Sequence, residues 1–294
     1  MGDVTSRTDA SAMNLHLKLR IQYDGTDFVG SQLQKKGRTV QGELEAALTR
    51  LAGEPVRVAL AGRTDSGVHA WGQVASLDFP GKPRLSSPVD VQRALNAILP
   101  GDVAVTGAEI APDAFHARFS ARRRAYRYLI WNAPYPLPLL SRYSLHMRNK
   151  LDWEAMEQAA SQLVGTHDFA AFAGSGMGVR DDETAEPGKP STIRTMHVAR
   201  ILPVDPTADV RHWHGPEVQG SGAWDSSVPG MWALDLVANA FLPQMVRAIT
   251  GTLLEVGQGK RTVENMSELI ESRDRRAAGQ TARAHGLCLM WVEY

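Results

Sequence analysis

Residues 15–23 read Leu15-His16-Leu17-Lys18-Leu19-Arg20-Ile21-Gln22-Tyr23, a strict alternation of apolar and polar side chains. Successive side chains of a strand point to opposite faces, so this spacing predicts a half-buried strand. Leu15, Leu17, Leu19, Ile21 and Tyr23 share its dry face, and the opposite face is basic. Asp24-Gly25 ends it with a turn signal. Helical spacing follows at Leu44, Ala47, Leu48 and Leu51, and again at Val91, Leu95, Ile98 and Leu99. Between these helices lie a short apolar strand at 56–60, a Gly-rich loop at 61–70 and a strand near 73–79. The second part of the chain repeats the vocabulary. Strands are expected at 125–131, 195–202, 232–237 and 287–294. One helix is expected on Trp153, Met156, Ala160 and Leu163 with Asp152 as N-cap, and another on Met245, Ile249 and Leu253. In each part a strand runs through a turn with a phenylalanine, Phe28 or Phe241, into a helix. That pattern suggests an α+β fold of duplicated halves sharing one sheet.

A chain of 294 residues with 43% hydrophobic and 22% charged side chains has the make-up of a soluble globular protein. The one cysteine, Cys288, excludes an intramolecular disulfide framework and a Cys-rich metal site. The first thirteen residues lack the apolar core of a secretory signal, and no run is long enough to span a membrane. A cytoplasmic location is therefore expected. Net charge is zero, from 32 basic and 32 acidic residues, but the charges are segregated. Residues 118–150 carry eight Lys or Arg and no acid, whereas 152–186 carry eight Asp or Glu and one basic residue, Arg180. Such a split fits either a steered polyanion binder or two solvated faces. Gly-, Pro- and Ser-rich stretches near 174–191 and 203–229 read as insertions. The His212-Trp213-His214 triplet in the latter lacks the partner residues of a metal site.

Three segments carry chemistry. Ala61 to Ala70 reads A-G-R-T-D-S-G-V-H-A, which places Arg63, Thr64, Asp65, Ser66 and His69 among glycines that permit close approach to a ligand. An aspartate in a loop is ordinarily a turn former. Here it stands two residues from an arginine, with a histidine and hydroxyls beside it. The stretch is not a G-x-S-x-G elbow, and no phosphate-binding glycine loop occurs in the right context. Phe115 to Tyr128 interleaves Arg118, Arg122, Arg123, Arg124 and Arg127 with Phe115, Phe119, Tyr126 and Tyr128. Guanidinium groups neutralise phosphates and aromatic faces stack on unpaired bases, so this pattern points to nucleic acid. Asn239 to Gly257 sets Arg247 in an otherwise apolar helix, where a cation either snorkels or meets a carboxylate.

Nine motifs in order resemble the TruA family of tRNA pseudouridine synthases. They are Y-D-G-T-D-F-x-G at 23–30, V-Q-G-x-L-E at 40–45, A-G-R-T-D-S-G-V-H-A at 61–70 and N-x-x-L-P-x-D at 96–102. F-H-A-R-F-S-A at 115–121, Y-R-Y at 126–128 and H-D-F-x-x-F at 167–172 follow. N-A-F-x-x-x-M-V-R-x-I-x-G-x-L-x-x-V-G at 239–257 and A-x-x-x-G-L at 282–287 complete the series.

The resemblance implies two similar RRM- or ferredoxin-like α+β halves sharing a mostly antiparallel central sheet, with a basic active-site cleft between them. The corresponding division is a tail at 1–14, a first half at 15–112 and a second at 113–294. It implies isomerisation of uridine to pseudouridine at positions 38, 39 and 40 of the tRNA anticodon stem-loop, by base flipping, in a homodimer without metal or organic cofactor. By motif position Asp65 corresponds to the nucleophile, Tyr126 to the tyrosine at the flipped base and Arg247 to the partner of the aspartate. Arg63, His69 and the arginines at 118, 122, 123, 124 and 127 are the expected substrate contacts. Family members usually carry Trp after the glycine of the first motif, where this chain has Ser31. Two other readings stand beside this one: a non-catalytic RNA-binding or chaperone protein on the same scaffold, and an aspartate-nucleophile glycoside hydrolase. The latter wants a second carboxylate, which no motif supplies.

Overall fold

The alternation at 15–23 becomes strand β1 (Leu15–Tyr23) in the computed structural model, which describes residues 14–82, 84–174, 191–204 and 230–294. Leu17, Leu19 and Ile21 are fully buried, each contributing about 1.5–3 kcal/mol by leaving water. They join one core with the apolar stripes of α1 (Val40–Ala52) and α2 (Pro88–Asn96). The Thr39 hydroxyl accepts from Gly42 N at the start of α1, and Gly53, at φ 76°, closes its other end. Ser87 and Pro88 start α2 in the same way.

The strands form one sheet. After β1 come β2 (Ala59–Leu60), β3 (His69–Phe79), β4 (Val103–Ile110) and β5 (Arg123–Asn132). They are followed by β6 (Leu145–Met147), α3 (Trp153–Ser161), β7 (Gly165–Asp168), β8 (Ile193–Val204) and β9 (Gly230–Ala238). The chain ends with α4 (Met245–Gly257), α5 (Asn265–Ser272) and β10 (Leu287–Glu293). Strand order is β4-β1-β3-β10-β5-β9-β8-β7, with β2 on β3 and β6 on β5. Pairing is antiparallel except for β10 with β3 and β5 with β6. The architecture is therefore mixed α and β on a large, mostly antiparallel sheet with five α-helices among the described residues.

The last strand decides the centre. β10 inserts between β3 and β5, with Leu289 opposite Ala70 on one side and Tyr126 on the other. Period-2 alternation along β5 then sends Tyr126 and Tyr128 to the helix-covered face and Arg127 to the opposite one. There Arg127 faces Asp235 of β9 in register, and Arg200 of β8 is next in line.

Helix α3 starts where Asp152 predicts, its carboxylate accepting from Ala155 N. The helices at 88–96 and 153–161 stop short of Ile98, Leu99 and Leu163, although Leu163 is fully buried. Chain folding back after a helix end keeps the apolar spacing without the helix. Strand 56–60 contracts to β2. Helix α5 has no sequence signal of comparable strength, since only Met266 and Leu269 are buried in it. The expected tail and both expected insertions, including the His212-Trp213-His214 triplet, lie almost wholly outside the described residues. Among the described residues no helix is long and apolar enough to cross a membrane.

Candidate active site

The loop from Ala61 to Val68 crosses between β2 and β3 and is held at nearly every residue. Ala61 N donates to Val74 O, and Val68 N closes a turn onto Asp65 O. Asp65 bridges to Gly30, while Gly67 N and the Ser66 hydroxyl both donate to Phe28 O. The hydroxyls of Thr64 and Tyr23 share a 2.8 Å hydrogen bond. Gly25 has no room for a side chain, since a Cβ there would lie 2.0 Å from Val68 O.

The neighbouring motifs support this loop from behind. Arg38 forks onto Asp102 at 2.5 and 2.8 Å, and its guanidinium lies 4.2 Å from the ring centroid of Phe28. That fork holds the Asp102 carboxyl below its usual range. The aspartate of the 96–102 motif and the phenylalanine of the 23–30 motif thus act through one arginine on the loop that carries Asp65.

Arg247 comes from the first turn of α4, 182 residues away in sequence. Its Nη1 donates to Asp65 Oδ2 at 2.8 Å and its Nε to Ala282 O at 2.8 Å. Ala282 N returns a 3.0 Å bond to Arg247 O, so Ala282 ties down both the backbone and the side chain of Arg247. Side-chain exposure is 17% for Arg247 and 34% for Asp65. A pair so open to water contributes modestly to stability. Its consequence is orientation: one carboxylate oxygen is committed to Arg247 in a concave site.

That site is a cavity of about 300 Å³. Asp65 and Arg247 share its wall with Arg63, Arg118, Arg124, Tyr126 and Gln244. Tyr126 is buried, and its ring meets Phe241 edge-on at 5.0 Å. Burial pushes its hydroxyl well above the usual phenol value, so it stays protonated at neutral pH. Gln244, just before α4, takes a left-handed conformation at φ 60°, an uncommon choice for a non-glycine residue that turns the chain over the cavity. The arrangement offers a fixed carboxylate, a neutral phenol and cationic walls in a volume the size of a small ring.

Of the other expected contact residues, Arg63, Arg118 and Arg124 line the cavity. Arg122 and Arg123 are exposed outside the lining, with Arg123 paired to Glu293 at 2.5 Å. His69 instead lines a second cavity of about 480 Å³ with Asp24 and Tyr143. Its Nδ1 accepts from Gly25 N, and its Nε2 lies 2.9 Å from the Arg142 carbonyl. Arg127 is buried on the far face of the sheet, donating to Asp235 at 2.6 and 2.8 Å.

Arg124 is more than a wall. It is 8% exposed, and its guanidinium donates to Asn239 O at 2.7 Å, Arg118 O at 2.9 Å and Ala61 O at 3.1 Å. These carbonyls belong to the chain before α4, the arginine–aromatic loop and the Asp65 loop. A lysine has the charge but not the planar fork that reaches all three. Arg124→Lys is expected to lower unfolding free energy by about 1–3 kcal/mol through unsatisfied carbonyls, read as a shift of the urea midpoint. An unchanged midpoint would remove the bracing role.

Two side chains outside the expected contacts complete the support. Ser31 is fully buried; its Oγ accepts from Thr64 N at 2.8 Å and its N donates to Thr64 O at 3.1 Å. The residue that departs from the usual tryptophan therefore ties down the loop directly. Gln73, also fully buried, donates to Gly62 O at 2.9 Å and accepts from Gly62 N at 3.3 Å. Gln73 had no signal beyond being polar in a strand, and Ser31 none beyond its departure from the usual tryptophan. Among the described residues no group of three or more His, Cys, Asp or Glu is placed to hold a metal ion.

The family model described as tRNA pseudouridine synthase matches residues 20–120 and 159–294, which include Asp65 and Arg247. A protein named tRNA pseudouridine synthase A from Chloroflexus aurantiacus is 46% identical over 279 residues, covering 95% of this chain and 88% of its own. Proteins of the same name from Roseiflexus sp. (strain RS-1) and Syntrophotalea carbinolica are 43% and 39% identical, each over 95% of this chain and 90% and 96% of their own. With the matches spanning both the loop of Asp65 and the helix of Arg247, the chain belongs to the tRNA pseudouridine synthase family.

Proposed function

We propose that this protein isomerises uridine to pseudouridine in the anticodon stem-loop of tRNA, at positions 38, 39 and 40, with Asp65 as the nucleophile. The observation that carries the reading is the Asp65 carboxylate held at 2.8 Å by Arg247 on the wall of a cavity shared with Tyr126. A base in a helical stem reaches such a cavity only by leaving its stack. Reactant and product are isomers: the C1′–N1 bond breaks with its electron pair going to uracil, the base turns, C1′–C5 forms, the C5 proton passes to solvent and N1 takes up a proton in its place. The balance needs no oxidant, reductant or co-substrate. Nucleophilic participation by Asp65 divides this exchange into two lower barriers. Arg247 keeps one carboxylate oxygen oriented, and the neutral Tyr126 packs against the extruded base and offers its hydroxyl for proton transfer.

Arg63 and Arg118, on the cavity wall, and the exposed Arg122 and Arg123 are the side chains suited to hold phosphates of the stem. Arg124 braces the site from within. Arg127, buried against Asp235, and His69, buried against the carbonyls of Arg142 and His285, serve the scaffold. We read the sheet as two related halves, 15–112 and 113–294, joined where β10 lies between β3 and β5, and the working protein as a homodimer in the cytoplasm.

The test is release of tritium from tRNA labelled at uracil C5, with base-resolution mapping of the product. Stoichiometric release with pseudouridine at 38, 39 or 40 is the expected result. Binding of tRNA without release would return the chain to the class of RNA binders. Pseudouridine at other positions would overturn the assignment of the substrate site.

A further inference from the structure

Phe119 is 69% accessible, the most exposed phenylalanine, tyrosine or tryptophan among the described residues, and it follows Arg118 of the cavity wall. A single exposed apolar side chain is unremarked on most proteins. This one is held up by its own loop. The His116 imidazole stacks on it with centroids 4.4 Å apart and planes 29° from parallel. His116 Nδ1 accepts from the backbone N–H groups of Arg118 and Phe119 at 3.2 and 3.4 Å. Ser120 N donates to His116 O, and His116 N to the Ser120 hydroxyl, closing the turn. Burial, helped by Arg118, lowers the pKa of His116, which keeps Nδ1 unprotonated and able to accept.

Among the described residues the surroundings are cationic. From 114 to 127 the chain carries five arginines and no acid, and the Arg118 guanidinium lies 5.9 Å from the Phe119 ring centroid. Asp113 flanks the loop, and Glu293 is already paired with Arg123. A two-fold contact between copies of this chain through such a patch would set arginines against arginines. An RNA strand suits it: phosphates meet the guanidinium groups and a base meets the ring.

We propose that Phe119 is a stacking platform for the base adjacent to the flipped uridine. The inference rests on the isomerase reading above. Extruding a base leaves its neighbour with a bare face, and a pre-positioned ring beside Arg118 of the cavity wall covers that face without having to be ordered first. His116 is the positioning residue that makes the ring rigid.

Three variants and two readouts test it. Phe119→Ala is expected to lower kcat/KM on tRNA about 10- to 100-fold at an unchanged melting temperature. Phe119→Trp should stay within about threefold of wild type, because it keeps a stacking face. His116→Ala should fall between them. In a stem-loop carrying 2-aminopurine beside the target uridine, wild-type protein should quench the fluorescence on binding and Phe119→Ala should not. Quenching is read without turnover, so absence of product from the wild type would strike the reaction and leave the platform to be judged by fluorescence. Wild-type kcat/KM and quenching in Phe119→Ala would overturn the proposal. So would a variant whose only change is in sedimentation, which would assign the ring to a contact between protein chains.

Discussion

Asp65→Asn is expected to lower pseudouridine formation about 10⁴-fold or more, the scale on which removal of a nucleophile acts. The substitution keeps the side chain's shape, and the amide Oδ1 can still accept from Arg247 Nη1, which now donates at 2.8 Å. The loop has its own supports in Ser31, Thr64, Phe28 and Gly30, none of which touches the carboxylate's charge. The variant should therefore melt within a few degrees of wild type and bind tRNA with similar affinity. Tritium release under single-turnover conditions reads the chemistry directly, without product dissociation. Turnover by the asparagine variant at even a tenth of the wild-type rate would sink the nucleophile assignment and leave Asp65 a turn residue.

Arg247→Met should cost about 10²- to 10³-fold in kcat, the range for removing one oriented electrostatic partner. Methionine preserves the apolar stem in α4, so the helix, which buries most of its residues, should persist. Two things are lost. The carboxylate of Asp65 loses its orienting donor, and Ala282 O loses the Nε hydrogen bond, a stability cost of about 1–3 kcal/mol for a buried acceptor. Arg247→Lys separates these effects. It keeps a positive charge but cannot serve Asp65 and Ala282 together with a fixed fork. Partial recovery of kcat in the lysine variant, at a melting temperature close to that of the methionine variant, is the expected pattern. Full recovery would show that charge alone matters; none would show that geometry does.

The fold was legible to different degrees in different places. Strand β1 follows from alternation, α1 and α2 from helical spacing, and α3 from spacing with its Asp152 cap, all interactions between residues a few positions apart. Helix α5 and strands β6 and β7 have weak local patterns and are set by what they pack against. The site shows the same division. The resemblance of its motifs to a known family pointed to Asp65, Tyr126 and Arg247, whereas Ser31 stood out only as a departure from the usual tryptophan and Gln73 not at all. Arg124 and Arg127, three residues apart in one basic run, came to opposite faces of the sheet with different work. Charge in a sequence does not say which face of a strand carries it until the pairing register is known.

By itself, then, the sequence determined the local elements with strong short-range patterns, the charge segregation and a set of chemically apt residues, because these depend on short-range spacing and side-chain type. Only the tertiary structure decided that Arg247 reaches Asp65 across 182 residues, that β10 lies between β3 and β5, and that Arg124 braces the site from within. Those contacts are long-range, chosen by burial of a shared core and by satisfaction of buried polar groups, and no window of sequence contains both partners.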